Sequence, residues 1–338
     1  MSKVSLKMIA KSLGVSDATV SLVLSGKGKN GRVGKELSEK IIKKAQELNY
    51  RPNILARSLR LGRSQTIGLV LADISNPFFA NLAFHIQEYA EKFNYTVFIT
   101  NTNENTDKME TAIEILKARQ VDGMIIVPTE KGSKCIENLL SSSTPIVLLD
   151  RCYPDIKTNV VMIDNYLAAY EATSRMINVD GCKKVGFMTY ENSLFHFAER
   201  TRGFVDAMKK ADIYDERLIK HVNYQTLEED TQKAINELTT EGVDSVFFAT
   251  DSICIKTLKY LTKNDLVTYD KLKVTSFDYN EIFDFIEKPL SYIVQPLQEL
   301  GTTAAEMLIG LINNEEEEAN KEMKNTLLST QMHFSNTK

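Results

Sequence analysis

The chain has 338 residues, of which 43% are hydrophobic and 25% charged; this is typical of a soluble globular protein of two or three packed units. No apolar stretch is as long as a signal-peptide core or a membrane span, so we expect a cytoplasmic protein that makes no use of a membrane. The cysteines lack CxxC and Cys/His spacing, which predicts reduced thiols and no metal site or disulfide framework. They are Cys135, Cys152, Cys182 and Cys254.

Charge is distributed unevenly along the chain. Residues 1–63 contain 14 Lys or Arg against 4 Asp or Glu, and the remainder contains 27 against 41, within a formal charge of -4 overall. A basic head on an acidic body is typical of a module that binds a polyanion such as nucleic acid. A Lys-rich, solvated helical surface would give the same counts, so charge alone leaves both interpretations open.

The N-terminal segment predicts two short helices joined by a tight turn. Apolar residues recur at helical spacing over residues 5–13, Gly14 ends that helix, and Ser16 is suited to N-cap a second helix over residues 17–24. The predicted inward positions are Leu6, Ile9, Ala10, Leu13, Ala18, Val20, Val23 and Leu24, and the predicted outward positions of the second helix are Asp17, Thr19, Ser21 and Leu22. Such a pair is a helix-turn-helix, whose second helix fits the DNA major groove.

A third helix is predicted from about residue 37 to residue 48. Its apolar positions are Leu37, Ile41, Ala45 and Leu48, which share one face. This face would complete a small three-helix core.

From residue 66 onward, apolar strand-like segments alternate with helical ones, as in parallel sheets under crossover helices. The predicted strands are TIGLVLAD (66–73), YTVFITN (95–101), DGMIIVP (122–128), PIVLLDR (145–151), KVGFMTY (184–190), DSVFFATD (244–251), KVTSFD (273–278) and LSYIVQP (290–296). They indicate two doubly wound halves. Ligands of such sheets bind where the carboxyl ends of strands converge.

Charged residues close several of these strands. They are Asp73, Asp150, Arg151, Asp251 and Asp278. A carboxylate there can accept hydrogen bonds from ligand hydroxyls, and an arginine can bind oxygens with its forked guanidinium. For Asp251, which precedes a helix, N-capping and ligand binding both stay open.

Two segments resemble a known family. IAKSLGVSDATVSLVLSGKGK (9–29) and LNYRPNILARSLRLGRSQTIGLVLADISNPFFA (48–80) resemble the head, hinge and first body strand of the LacI/GalR bacterial regulators, and the order of strands and helices extends the match to nearly the whole chain. The resemblance implies an N-terminal all-α helix-turn-helix head with a hinge helix, followed by an α/β two-lobed periplasmic-binding-protein-like domain with parallel doubly wound sheets.

The resemblance also implies domain boundaries. It implies a DNA-binding domain over residues 1–50, a hinge helix and linker over 51–63, and an effector-binding and dimerisation domain over 64–338. Within that last domain, one lobe would comprise about 64–163 plus 295–325, with the last helices returning to it, and the other about 164–294.

The implied partner of the head is double-stranded operator DNA. The hinge over residues 53–60 would fold when two subunits occupy an operator, with Leu59 as an apolar wedge in the minor groove and Arg57 and Arg60 near phosphates; an ordinary contact of Leu59 with the body is the alternative. The implied DNA-binding residues are Ser5, Leu6, Ser16, Asp17, Ala18, Thr19, Ser21, Leu22, Lys29, Asn53, Ala56, Arg57, Leu59 and Arg60.

The implied partner of the body is a small-molecule effector: a sugar, a sugar phosphate or a nucleobase. The implied effector-binding residues are Asn76, Phe78, Phe79, Arg151, Asp164, Arg200, Tyr224, Asp251, Asp278 and Gln295. Phe78 and Phe79 could instead be core residues, although aromatic faces also stack on sugar rings and bases. The four histidines lack metal-ligand spacing and are interpreted as structural or surface residues, with His196 near the cleft.

Two departures from the family pattern affect DNA reading. Leu22 stands where many members have an arginine, and the segment KNGRVGKEL (29–37) is a few residues longer than usual. In this longer segment, Lys29, Arg32 and Lys35 can add contacts to DNA phosphates, which carry no information about the base sequence. The operator is therefore expected to differ from that of relatives.

Two other protein classes compete with the expected homodimeric, effector-controlled repressor, which is expected to need no cofactor. A periplasmic sugar-binding protein shares the two-lobed fold, but the basic head and the absence of an export signal argue against it. An enzyme on doubly wound sheets is disfavoured because no GxGxxG or GxxxxGK[ST] follows a strand and no GxSxG occurs. An inducer is favoured over a corepressor.

Overall fold

A computed structural model describes residues 4–24, 33–50, 62–264, 272–313 and 323–335. The chain divides into two compact units, one up to residue 64 and one from residue 65. None of the helices in these described ranges is long and apolar enough to cross a membrane. Each unit is described separately below.

The first unit contains three helices around a small apolar core. They are α1 (Leu6–Leu13), α2 (Asp17–Leu24) and α3 (Lys35–Glu47). The core residues are Ile9, Ala10, Val20, Val23, Ile41 and Ala45, and the other predicted apolar positions of the three helices, Ala18 excepted, pack around them partly buried. The helix-turn-helix prediction is therefore confirmed, with the third helix beginning two residues earlier than expected.

Local interactions fix the turn between α1 and α2. Gly14 adopts φ 65°, a left-handed conformation that ends α1 and that glycine adopts without steric cost. Ser16 Oγ accepts a hydrogen bond from the Thr19 amide at 3.1 Å, so the predicted N-cap is confirmed. Ala18, however, is exposed. Its predicted inward packing is wrong because two residues turn an α-helix by roughly 200°, away from the buried face of Val20.

The second unit is built on two six-stranded sheets. The first has the order β11-β5-β4-β3-β1-β2 and is parallel throughout. Its strands are β1 (Thr66–Leu71), β2 (Thr96–Asn101), β3 (Gly123–Ile126), β4 (Ile146–Leu149), β5 (Val160–Ile163) and β11 (Asn325–Leu328). The helices that lie between β1 and β4 in sequence are α4 (Pro77–Lys92), α5 (Thr106–Ala118) and α6 (Ser133–Leu140).

The second sheet has the order β12-β10-β9-β8-β6-β7 and is parallel except for β12, which pairs antiparallel with β10. Its strands are β6 (Val185–Tyr190), β7 (Ile219–Val222), β8 (Ser245–Phe248), β9 (Lys273–Phe277), β10 (Ser291–Val294) and β12 (Gln331–His333). Its helices are α7 (Asn165–Asn178), α8 (Phe195–Lys210), α9 (Leu227–Thr240) and α10 (Asp251–Lys263), with 3-10 turns at Glu216–Leu218 and Glu281–Phe285.

The last helix, α11 (Leu297–Asn313), follows β10 of the second sheet but packs on α4 and on β3, β4 and β5 of the first sheet. The chain then adds β11 to the first sheet and β12 to the second. The last helix, which was expected to return to the first lobe, thus packs on the first sheet, and the chain crosses between the two sheets several times.

A close helix contact in the second lobe depends on a glycine. A Cβ on Gly203 in α8 would lie 2.3 Å from the Tyr166 carbonyl oxygen and 2.9 Å from the Tyr170 amide nitrogen, both in α7. Backbone cannot yield as a flexible side chain does. The glycine of the RTRGF segment therefore permits α7 and α8 to pack this closely.

We expect Gly203→Ala to lower the free energy of unfolding by about 1–3 kcal/mol, because the added methyl overpacks the contact between α7 and α8. Gly310→Ala is the matched control: Gly310 also lies inside a helix, but an added Cβ would meet nothing within 4 Å. There the change should raise stability by roughly 0.5–1 kcal/mol through helix propensity. Urea unfolding followed by circular dichroism measures both, and equal effects at the two sites would contradict the packing argument.

Candidate functional site

The exposed surface of the first unit includes the beginning of α2. Ser16, Asp17 and Ala18 are exposed and Thr19 is partly exposed. These are the first residues of the helix that a helix-turn-helix presents to base edges. Of the other predicted DNA contacts, Ser5 is exposed and Leu6, Ser21 and Leu22 are partly buried, whereas Lys29, Asn53, Ala56, Arg57, Leu59 and Arg60 lie outside the described residues.

A cavity of about 920 Å³ in the second unit is lined by loops that follow strands of both sheets. Because the strands are parallel, their carboxyl ends and the following helix N-termini converge there. The structure brings nine predicted residues to this cavity: Asn76, Phe78, Phe79, Arg151, Arg200, Tyr224, Asp251, Asp278 and Gln295. Asp164 is not among the lining residues; its carboxylate instead caps α7 by accepting a hydrogen bond from the Leu167 amide at 2.9 Å.

On the first-lobe wall, the Arg151 guanidinium is held by Glu104. Its two terminal nitrogens donate to the two carboxylate oxygens of Glu104, each at 2.8 Å, and one also donates to the Pro128 carbonyl at 3.2 Å. The guanidinium carbon lies 5.6 Å from the centre of the Phe79 ring. Fork-to-fork pairing of this kind fixes both position and orientation.

On the second-lobe wall, Arg200 is buried and held from several directions. Its Nε donates to Asn165 Oδ1 at 2.8 Å, and a terminal nitrogen donates to the Ala249 carbonyl at 2.7 Å. Its guanidinium carbon stacks 3.5 Å from the Phe277 ring centre. The Asp278 carboxylate lies 3.9 Å away and supplies the counter-charge.

Asp150 and Asp278 occupy equivalent places, directly after β4 and β9, and both have left-handed backbones with φ 68° and 70°, which aspartate tolerates better than most residues. Burial raises the pKa of both carboxyls, that of Asp278 to about 7. Gln295 donates to Asp278 Oδ1 at 2.6 Å. Two strand-end carboxylates thus face the cavity, one from each lobe.

Asp251 has no capping role. Thr250 Oγ1 accepts from the Ile253 amide at the start of α10, while Asp251 accepts from the Asn280 side chain at 2.8 Å. Of the two functions left open for Asp251, the geometry excludes N-capping and leaves a carboxylate on the cavity wall.

Glu104 is a residue of this wall that the sequence did not predict. Asp150 was predicted only as a strand-end carboxylate, and His196 only as lying near the cleft. His196 lines the cavity, is 3% exposed, and has no hydrogen-bond partner for Nδ1 within the described part of the chain. Burial, together with Arg151 and Arg200, holds the pKa of His196 well below its usual range, so the ring is neutral. Its spacing of four residues before Arg200 on one helix was an available signal.

Side chains from the two lobes meet at the mouth of the cavity. Tyr224 donates to Asp73 at 2.9 Å, and the Ser193 amide and hydroxyl donate to Glu130 at 2.8 and 3.0 Å. These contacts hold the lobes together across the cleft.

The raised pKa of Asp278 predicts a pH-dependent stability. The native carboxyl keeps its proton to higher pH than the unfolded one, so this contribution is present at low pH and is lost as pH rises towards 7. Asp278→Asn resembles the protonated side chain at every pH. The free energy of unfolding of the variant, measured by urea unfolding, should therefore rise relative to that of wild type as the pH increases from about 4.5 to about 8. A difference that is constant or shrinks would contradict burial as the dominant cause.

Both units are similar to known proteins. Residues 5–53 match bacterial regulatory proteins of the lacI family, and residues 64–335 match the periplasmic binding proteins and sugar binding domain of the LacI family. The ribose operon repressor of Halalkalibacterium halodurans is 30% identical over 303 residues, 89% of this chain and 88% of the relative. The ribose operon repressor of Haemophilus influenzae is 29% identical over 316 residues, covering 92% and 93%.

A solved structure agrees at the level of fold. The lac repressor dimer bound to operator and the anti-inducer ONPF aligns with a TM-score of 0.84 at 20% identity, covering 99% of each chain. The chain belongs to the LacI family of bacterial regulatory proteins, with the helix-turn-helix as its DNA-binding head and the cavity-bearing unit as its ligand-binding domain.

Proposed function

We propose that the chain is a cytoplasmic repressor, not an enzyme, whose operator affinity is lowered when a small sugar binds in the cavity. The observation that carries the sugar assignment is the set of buried hydrogen-bonding groups on its walls. A polyhydroxylated molecule supplies donors and acceptors in every direction, as such a set requires.

Three of these groups have free capacity. Arg151 Nε, His196 Nδ1 and Gln295 Oε1 are buried and lack a hydrogen-bond partner among the described residues. A buried polar atom left unsatisfied is unfavourable by about 1–3 kcal/mol, so a ligand that pairs with these atoms gains affinity. Gln295 Oε1 needs a donor, such as a sugar hydroxyl.

The remaining walls suit a small ring. Phe78, at the start of α4, is partly buried and offers apolar surface to a sugar face. Phe79 is 4% exposed and belongs to the core, with its ring perpendicular to that of Phe78 at a centroid separation of 5.0 Å. The carboxylates of Asp278 and Asp251 can accept from neighbouring hydroxyls. The names of the two ribose operon repressors make D-ribose the first candidate.

The head is proposed to act as a homodimer on a near-palindromic operator, with α2 of each subunit in the major groove. Sugar binding would favour one lobe arrangement and so alter the spacing of the two segments at residues 51–63. This couples the ligand site to the DNA site, and the sugar is proposed to act as an inducer.

At about pH 8, where the Asp278 carboxyl is mostly ionised, we expect D-ribose to bind the wild-type protein in a calorimetric titration and Asp278→Asn to weaken that binding at least tenfold, because removing one partner of a charged hydrogen bond typically costs about 2 kcal/mol or more. Asp164→Asn is the control, since Asp164 caps α7 and does not line the cavity; its affinity should equal wild type. A wild-type protein that ignores D-ribose but binds a purine would assign the cavity to a nucleobase.

Operator binding should weaken steeply with salt. The basic head replaces counterions on phosphates, and six to ten such contacts reduce affinity by about 10³–10⁵ between roughly 50 and 200 mM salt. A fluorescence-polarisation titration on an operator obtained by in vitro selection measures the slope, and D-ribose should lower the affinity at each salt concentration. A flat salt response would exclude the head as the DNA-binding surface.

A further inference from the structure

We propose that Glu104 makes the cavity selective for an uncharged sugar over the same sugar carrying a phosphate. The proposal rests on the proposed function, in that it assumes a sugar-binding cavity. It concerns how that cavity tells two forms of its ligand apart.

Arginine is the side chain best suited to bind a phosphate, because its fork offers parallel donors. In this cavity the fork of Arg151 is already occupied by both oxygens of Glu104, at 2.8 Å each. The remaining Nε lies 3.5 Å from an Asp150 oxygen but makes no hydrogen bond within the described part of the chain, so it offers a ligand a single donor. A phosphate could take the fork of the two terminal nitrogens only by displacing Glu104.

Arg200 cannot offer a complete fork in its place. Its Nε and one terminal nitrogen are bound to Asn165 and to the Ala249 carbonyl, and its face is covered by Phe277 at 3.5 Å. Lys256, the third cationic residue on the wall, lies 3.9 Å from Glu228. Each cation of the described wall is therefore close to a protein acceptor.

The charge of the wall acts in the same direction. Among the described residues, eight carboxylic acids line the cavity against these three cations: Asp73, Glu104, Glu130, Asp150, Glu191, Glu228, Asp251 and Asp278. Burial raises the pKa of two of them, Asp150 and Asp278, but the other six still outnumber the three cations. Like charges repel strongly where water is scarce, so a phosphate dianion would meet a repulsion that an uncharged sugar would not.

Glu104 is singled out by position as well as by pairing. It follows β2 with a left-handed backbone, φ 56°, and its amide donates to the Ala72 carbonyl at 3.1 Å. The loop is thereby fixed against the end of β1. Glu104 reaches Arg151, which follows β4, from the loop that follows β2. The other carboxylate beside Arg151, Asp150, contacts only Nε.

The test compares D-ribose, D-ribose 5-phosphate and inorganic phosphate by calorimetry on wild type and Glu104→Gln. Glutamine removes the charge and can still accept one bond from Arg151. We expect wild type to bind D-ribose 5-phosphate at least tenfold more weakly than D-ribose, and Glu104→Gln to raise the affinity ratio of phosphate form to sugar at least tenfold. Inorganic phosphate should also bind the variant at least tenfold more tightly.

Glu191→Gln is the matched control, because it removes one negative charge from the same wall at a residue whose carboxylate forms no ion pair with Arg151, Arg200 or Lys256 in the described part of the chain. In this control, the ratio of the affinity for D-ribose 5-phosphate to that for D-ribose should change less than threefold. An equal change of this ratio in both variants would overturn the specific role of Glu104. Circular dichroism melting verifies that each variant folds. If Glu104→Gln does not fold, the comparison of the two ligands on wild type decides alone. Equal affinities for D-ribose 5-phosphate and D-ribose overturn the proposal, and an affinity at least tenfold lower for D-ribose 5-phosphate supports it.

The two proposals fail separately. If wild type binds none of the probes but Glu104→Gln gains inorganic phosphate, the pentose assignment fails and the role of Glu104 stands. If wild type binds D-ribose and the variant leaves the affinity ratio and phosphate binding unchanged, the role of Glu104 fails and the pentose assignment stands.

Discussion

Burial of the Arg200 charge is the constraint around which the second lobe is arranged. A guanidinium that is only 2% exposed is tolerated in an interior only when acceptors and a counter-charge surround it. These come from four places in the sequence: Asn165 at the start of α7, the Ala249 carbonyl after β8, Phe277 in β9 and Asp278 beyond it. One side chain on α8 therefore ties a second helix and two strands to the cavity wall.

The closeness of α7 and α8 makes this arrangement possible. Asn165 reaches Arg200 because the two helices approach at Gly203, where no Cβ intervenes. Arg200 and Gly203 are three residues apart and thus one helical turn apart. A short RxxG sequence pattern accordingly encodes both the buried charge and the helix contact that satisfies it.

Much of the fold followed from sequence periodicity, because buried parallel strands are apolar on both faces and amphipathic helices alternate with them. The strands that were not predicted are β5, β7, β11 and β12. β7, β11 and β12 lie at or near sheet edges and mix polar with apolar residues over three or four positions, so they have no distinct pattern. Their pairing depends on chain segments distant in sequence.

The cavity was predictable to the extent that strand ends converge. Asp278, Arg151 and Asp251 follow strands, so topology alone places them together. Glu104 could not be found this way, because it acts through a pairing 47 residues distant in sequence. His196 was placed near the cleft, but its unsatisfied nitrogen is visible only in the structure. Asp164 shows the converse, because a strand-end acid in the right region serves as a helix cap instead.

The contacts at the cavity mouth bear on how quickly the regulator can respond. Asp73 with Tyr224, and Glu130 with Ser193, join the two lobes beside the cavity, so these bonds must open whenever the lobes separate. Opening of lobes or lids generally occurs on microsecond to millisecond timescales. Where a ligand exchanges through the open form, its residence time depends on the opening rate as well as on its contacts, and these cross-lobe bonds are a place where exchange kinetics can change while equilibrium affinity stays the same.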